Sequence, residues 1–298
     1  MTARSRLNSR LLSVEWATPK AGFSLVVLEE WETEVEHSAD ARELKEVEIY
    51  PDATSLARAA ADYFVTLASE AIATQGRFAV ALAGGSTPKV TYALLATDAI
   101  SERVDWSHVH IFWGDERCVP PDHPDSNYRM AREAWLDHVP LPAGNVHRMR
   151  GELEPSQAAS EYEETLRVFF SLSSEEGTGN DTLPVARFDL VLLGMGDDAH
   201  TASLFPGTAA IDEQTRWVMA HLVEKLHTWR ITLTPAAINA AANVIFVVSG
   251  SGKAGRLQRV LTGPYQPDVL PAQIVKPDNG RLRWLVDSAA AALLEGEK

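Results

Sequence analysis

Four apolar runs, each about the length of one strand, constrain this chain most. They lie at residues 78–83, Val109–Trp113, 188–193 and 244–248, and a glycine follows each within two positions. A strand that is apolar at successive positions is buried on both faces, as in a parallel sheet covered by helices. Helix patterns fall between the runs. Asp52 or Thr54 caps a helix with apolar residues Leu56, Ala60, Tyr63, Leu67 and Ala71, and Gly76 closes it. Pro88 opens a helix through Leu95, and further helices are predicted over 127–136, 152–170, 235–241, 253–261 and the Ala- and Leu-rich tail. Weaker strand signals lie at 47–50, 217–223, 230–233 and 284–286, and a surface loop at 173–184. The alternation predicts an α/β fold, a mostly parallel, Rossmann-like sheet flanked by helices on both faces. Ligands in such folds bind beyond the carboxyl ends of the strands, so the loops leaving strands carry the functional information.

Residues 46–298 read as a single α/β domain. Residues 1–45 read as an N-terminal extension, basic at first and then acidic through Glu29, Glu30, Glu32, Glu34 and Glu36. Partial disorder and a docked β-hairpin using residues 23–28 both fit that composition. With 27 Lys and Arg against 41 Asp and Glu, the net charge is −14, which argues against general binding of nucleic acid or of an anionic membrane. A single cysteine, Cys118, excludes an internal disulfide framework and a Cys-rich zinc site. The apolar runs are far short of about 20 residues, and no apolar signal segment follows Arg4, Arg6 and Arg10. A cytoplasmic enzyme, monomeric or a small homo-oligomer, is expected.

Four loops carry chemistry. Gly84-Gly85-Ser86-Thr87-Pro88 leaves a strand and opens a helix, where close backbone approach and free N–H groups suit a phosphate. The fifth position is Pro88 and not glycine, which argues against Ser86 as the nucleophile of a G-x-S-x-G elbow. Trp113-Gly114-Asp115-Glu116-Arg117 offers Arg117 for bidentate phosphate recognition. Nearby His108 and His110 have metal-ligand spacing but no third ligand, so a structural role is expected and no metal site is assigned. Gly194-Met195-Gly196-Asp197-Asp198-Ala199-His200 matches G-x-G-x-x-A formally, but Pro206 comes too soon for the long helix of a dinucleotide site. His200 is instead the expected general base, with Asp198 to orient it. Ser249-Gly250-Ser251-Gly252-Lys253-Ala254 lacks the first glycine and the Ser/Thr of a P-loop, leaving Lys253 at a helix start as a phosphate ligand. Arg230 is a further cation. The sum is a site for a small phosphorylated metabolite processed by acid–base chemistry without cofactor or metal.

These loops resemble the 6-phosphogluconolactonase family, in the superfamily that also holds glucosamine-6-phosphate deaminase. The matching stretches are Ala83 to Pro88, Trp113 to Arg117 with Ser126-Asn127-Tyr128, Phe188 to Gly196, His200 to Pro206, Arg230 to Thr234 and Gly252-Lys253-Ala254. The resemblance runs from about Val47 to the C-terminus. It implies hydrolysis of 6-phospho-D-glucono-1,5-lactone to 6-phosphogluconate in the oxidative pentose phosphate pathway. It assigns catalysis to His200 and Asp198, and substrate and phosphate binding to Gly84, Gly85, Ser86, Thr87, Arg117, Asn127, Arg230 and Lys253. The N–H groups of Gly85 and Gly196 are the expected oxyanion donors. Deaminases usually carry Asp-Glu-Tyr where this chain has Asp115-Glu116-Arg117, which favours the lactonase; a deaminase and a non-catalytic sugar-phosphate sensor are the alternatives. The family usually reads Asp-Gly-His where this chain reads Asp198-Ala199-His200. If that backbone needs positive φ, alanine costs on the order of 1 kcal/mol and puts the placement of His200 at stake.

Overall fold

A computed structural model describes residues 24–28, 45–171 and 186–294. The predicted loop over 173–184 and most of the N-terminal extension lie outside the described residues. Within the extension, β1 (Ser24–Leu28) pairs antiparallel with β2 (Lys45–Tyr50). The chain continues through α1 (Ala53–Gln75), β3 (Phe78–Leu82), α2 (Ser86–Leu95), α3 (Asp98–Ser101) and β4 (Val109–Trp113). Then come β5 (Asp115–Arg117), α4 (Asn127–Ala134), α5 (Pro155–Ser171), β6 (Leu190–Leu193), β7 (Val218–Val223) and β8 (Thr228–Leu233). The last elements are α6 (Pro235–Asn239), β9 (Asn243–Val248), α7 (Ala254–Thr262) and β10 (Arg281–Asp287).

Among the described residues the main sheet has seven strands in the order β1-β2-β10-β9-β6-β3-β4, and every pairing except β1–β2 is parallel. All residues of β3 and β6 are buried, as continuous apolar strands require. In α1 the Asp52 carboxylate accepts the Ser55 N–H at 2.7 Å, and Gly76 ends the helix at φ +76°. Its buried face includes Leu56, Ala60, Phe64, Ala68 and Ala71, at the spacing of one helix side.

The topology sets three predicted ligand loops side by side, because β9, β6 and β3 are neighbours and their loops leave the same edge. The fourth differs from expectation. Asp115–Arg117 is not a loop but β5, a strand of a separate antiparallel sheet with β8 and β7. The predicted strands at 217–223 and 230–233 also belong to this second sheet. Gly114 joins the two sheets: its N–H donates to Leu82 O and its carbonyl accepts from Leu233 N, both at 2.8 Å.

Two helix expectations differ from the structure, one at its boundary and one throughout. Pro88 is not the first residue of α2 but the third, with Gly85 at the cap. A proline fits there because the first turn of a helix needs no internal N–H partner. The tail at 288–294 forms turns, not a helix. Ser288 N donates to Tyr50 O at 2.8 Å, a tertiary bond that overrides the helix propensity of alanine, while Asp287 Oδ1 accepts Ala290 N at 2.7 Å within the turn.

Candidate active site

A cleft of about 270 Å³ opens at the carboxyl edge of β3, β6 and β9. Residues 83–88 line one wall and residues 192–196 with 200–202 the floor, while Asp115, Arg117, Asn127, Ser249 and Lys253 close the sides.

The wall is a helix start without a side-chain cap. Gly85 adopts φ +100° and offers no capping group, so the first N–H groups of α2 point out of the helix toward the cleft. Gly84 is required by close approach: a Cβ there would stand 2.1 Å from Asn127 Oδ1. Asn127 is buried, and its amide nitrogen donates to Asp115 O at 2.9 Å and Asp115 Oδ1 at 3.2 Å. Glu116 holds this corner together. Its carboxylate accepts from Arg117 N (2.8 Å), Asn127 N (2.7 Å), Tyr128 N (2.8 Å) and Ser126 Oγ (3.0 Å), tying the start of α4 to β5. Burial pushes the Glu116 carboxyl above its ordinary value, against the pull of those N–H groups.

The cations divide between two places. Arg117 lines the cleft and donates through Nη1 to Asp125 O. Arg230 lies not at the start of its strand but third in β8, where its Cα is the register partner of Arg117. The Nε atoms of both are buried with no hydrogen-bond partner among the described residues. Burial first, and the facing Arg117 second, hold Arg230 below the ordinary arginine value. Lys253 approaches from the loop after β9 and meets the exposed Asp197 carboxylate at 2.5 Å. Below that loop, Asp287 of β10 accepts from Ser249 Oγ at 2.5 Å and Gly250 N at 3.0 Å, and Gly250 has φ +99°.

His200 stands on the floor. Its Nδ1 is 2.5 Å from Asp198 Oδ1, which also accepts the His200 N–H at 3.1 Å. A neutral ring facing a carboxylate carries its proton on Nδ1, leaving the Nε2 lone pair for a substrate. Phe205 stacks on the ring with centroids 4.1 Å apart. The side chain keeps 31% of its surface open, yet burial of the rest pushes it down to about 4. Lys253 and Arg230 add to that fall, and Asp115 and Asp197 oppose it. The imidazole is therefore neutral near pH 7, the form a base needs.

Ala199 adopts the conformation that the sequence put at stake, φ +66°, and Ala202 follows at φ +46°. His200 nonetheless keeps its carboxylate, because the loop is pinned on both sides. Ala199 N donates to Gly196 O at 3.0 Å, and Ala272 N donates to Ala199 O at 3.0 Å. One expectation is overturned here. The N–H of Gly196 is not free for an oxyanion, since it donates to His200 O at 2.8 Å. Gly196 instead serves by lacking a side chain beside the His200 ring.

His108 and His110 do not converge on a metal. His108 pairs with Asp105 at 2.8 Å, whereas His110 stacks with His147. Among the described residues no cluster of three or more His, Cys, Asp or Glu side chains has metal-binding geometry. Burial pushes the Cys118 thiol up to about 11. Among the described residues no helix is long and apolar enough to cross a membrane.

Sequence reasoning missed three contributors. Asp115 lines the cleft with both oxygens engaged, by Asn127 at 3.2 Å and Ser203 Oγ at 2.7 Å. Phe205 and Lys225 reach His200 or its carboxylate. Asp115 was visible in the motif that carries Arg117, while Lys225 has no local signal at all.

Residues 51–284 match the family described as glucosamine-6-phosphate isomerases/6-phosphogluconolactonase, and the chain belongs to that family. Among its relatives, a 6-phosphogluconolactonase of Nostoc sp. is 44% identical over 251 residues, 84% of this chain and 98% of that protein. A 6-phosphogluconolactonase of Synechocystis sp. is 42% identical over 226 residues, 76% of this chain and 88% of the relative. The solved structure of a 6-phosphogluconolactonase from Trypanosoma brucei aligns with a TM-score of 0.70 at 30% identity, covering 83% of this chain and 98% of that one.

Proposed function

We propose that this protein hydrolyses 6-phospho-D-glucono-1,5-lactone to 6-phosphogluconate. The names of its relatives support the substrate. The observation that carries the chemistry is His200, which lines the cleft with Nδ1 committed to Asp198.

The substrate phosphate lies against the open N–H groups and hydroxyls of Ser86 and Thr87, with Arg117 and Lys253 as counter-charges. Lys253 exchanges its Asp197 contact for the anion. Arg230 reinforces Arg117 from the neighbouring strand. Asn127 holds Gly84 and Asp115 in place and so shapes the wall. Phosphate binding, remote from the reacting carbon, positions the lactone carbonyl over His200.

A water molecule then attacks C1 while Nε2 of His200 takes its proton. The carbonyl electrons move onto oxygen, and the Gly85 N–H receives the oxyanion. As the carbonyl re-forms, the C1–ring-oxygen bond breaks, and the imidazolium returns the proton to the departing oxygen. Asp198 stabilises the transient imidazolium.

The test is hydrolysis of freshly made lactone, with product read by coupled 6-phosphogluconate dehydrogenase and the spontaneous rate subtracted. Turnover in wild type and loss in His200→Ala are expected. Ammonia release from glucosamine 6-phosphate in place of lactone turnover would replace the reading with a deaminase, and tight binding without turnover would replace it with a sensor.

A further inference from the structure

We infer that Lys225 is a positioning residue for this reaction, holding Asp198 in the one orientation that aims His200 at the cleft. The inference rests on His200 acting as the base. Lys225 belongs to a different sheet from the residues it serves. It occupies the tip of the β7–β8 hairpin, in the turn Glu224–Leu226 between the register partners Val223 and Thr228. His227 closes that turn in the left-handed region at φ +48°.

From there its ammonium meets Asp198 Oδ2, while Oδ1 of the same carboxylate faces His200 Nδ1 at 2.5 Å. The Asp198 side chain is 30% exposed. Without Lys225 the carboxylate is held through Oδ1 alone, by the His200 N–H and Nδ1, and its plane can turn about that atom. With Lys225 on Oδ2, a separate element fixes that plane. Lys225 Nζ also lies 4.6 Å from the centre of the Phe205 ring, the ring that stacks on His200. One lysine therefore touches both groups that fix the imidazole, the carboxylate at its edge and the aromatic ring at its face.

Stability alone is a weak account of this contact. The Lys225 side chain is 49% exposed, and exposed ion pairs contribute little to folding. Orientation is where it acts, because partners that hold a ligand of the reacting group govern its tautomer and direction. The charges around His200 are Asp198 at its edge, Asp115 of β5, Asp197 of its own loop, Lys253 of the loop after β9, Arg230 of β8, and Lys225. Without Lys225, Asp198 turns away from Nδ1 and the imidazolium loses its nearest carboxylate, so the pH at which His200 protonates falls.

The experiment compares full-length wild type, Lys225→Met, Lys225→Arg, Asp198→Asn and Lys225→Met/Asp198→Asn in lactone hydrolysis, with the thermal midpoint of each. In Lys225→Met, kcat is expected to fall about 10- to 100-fold with KM within about twofold. The acid limb of kcat/KM moves to lower pH, Lys225→Arg recovers most of kcat, and Lys225→Met adds no further loss once Asp198 is Asn. A wild-type kcat with an unmoved limb in Lys225→Met overturns the inference. So does a fall explained by lost folded protein, with the limb unmoved. His200→Ala runs alongside: full activity there removes the base and the inference with it, whereas a dead His200→Ala beside a wild-type Lys225→Met removes the inference alone.

Discussion

Gly196 and His200 occupy one another's space. A Cβ on Gly196 would stand 2.0 Å from His200 Nδ1, 2.2 Å from Cε1 and 2.9 Å from Asp198 Oδ1. The imidazole and its carboxylate meet only because position 196 carries no side chain. Gly196→Ala should therefore displace the ring and lower kcat about 100-fold, the scale of a misplacement near 1 Å. The circular dichroism spectrum should stay that of wild type. A Gly196→Ala enzyme with wild-type kcat would show that the close contact is dispensable.

The pH dependence of turnover reports the same imidazole. Burial holds His200 near 4, so the neutral base persists well below the ordinary histidine value of 6.5. The acid limb of kcat/KM should be centred near pH 4, and His200→Ala should lose about 10²- to 10⁴-fold. Steady-state rates between pH 3.5 and 8, corrected for spontaneous hydrolysis, measure both. A limb centred near 6.5 would mean that the ring is more solvated than its packing indicates.

Arg117 and Arg230 face each other across β5 and β8, and neither Nε atom has a partner among the described residues. Like charges directly opposite destabilise a strand pair until an anion joins them. Inorganic phosphate or 6-phosphogluconate should raise the melting temperature of wild type, and raise that of Arg117→Met less. The same substitution removes a charge-assisted contact of about 1.5–3 kcal/mol, so kcat/KM should drop roughly 10- to 150-fold. Differential scanning fluorimetry with and without phosphate checks the first part. Equal stabilisation of both proteins would place the anion elsewhere.

Ala199 sets two opposing effects against each other. Its φ of +66° costs alanine on the order of 1 kcal/mol, which glycine would relieve. Its methyl is fully buried and contributes about 0.8 kcal/mol, and glycine adds unfolded-state freedom of about 0.5–1 kcal/mol. The terms nearly cancel, so Ala199→Gly should change stability by less than about 1 kcal/mol in urea unfolding. A gain above about 2 kcal/mol would mean that the loop is more strained than its hydrogen bonds suggest.

Acid should destabilise the fold through histidines that must be neutral in the native state. Burial pushes His147 down to about 4, and it lies on Phe112 with ring centroids 4.4 Å apart. Between about pH 6.5 and 4 the unfolded chain binds a proton at this position and the native chain does not. Stability from this residue is thus present above 6.5 and lost as pH falls toward 4. His110, His200 and His221 are lowered in the same direction. In His147→Leu the urea midpoint should depend less steeply on pH across this window. An unchanged slope would assign the acid sensitivity to other groups.

Much of the fold was legible because its signals are local. Continuous apolar runs mark β3, β6 and β9, Asp52 and Gly76 bracket α1, and glycines after strands mark the ligand loops. The tail at 288–294 misled because alanine propensity is a weak force beside the hydrogen bond that ties Ser288 to Tyr50 of β2. Strand β5 misled because three polar residues carry no strand periodicity; β8 creates it by pairing.

The sequence by itself determined which residues stand at strand ends: His200 with Asp198, the Gly84–Thr87 turn, Arg117 and Lys253. Short-range chemistry suffices for that, since a glycine, a cap or an apolar run acts over a few positions. Only the tertiary structure decided that Arg230 backs Arg117, that Gly196 spends its N–H on His200, and that Lys225 reaches Asp198 from another sheet. Those contacts join residues on separate strands or depend on how a loop closes on itself, and sheet register and loop closure set them.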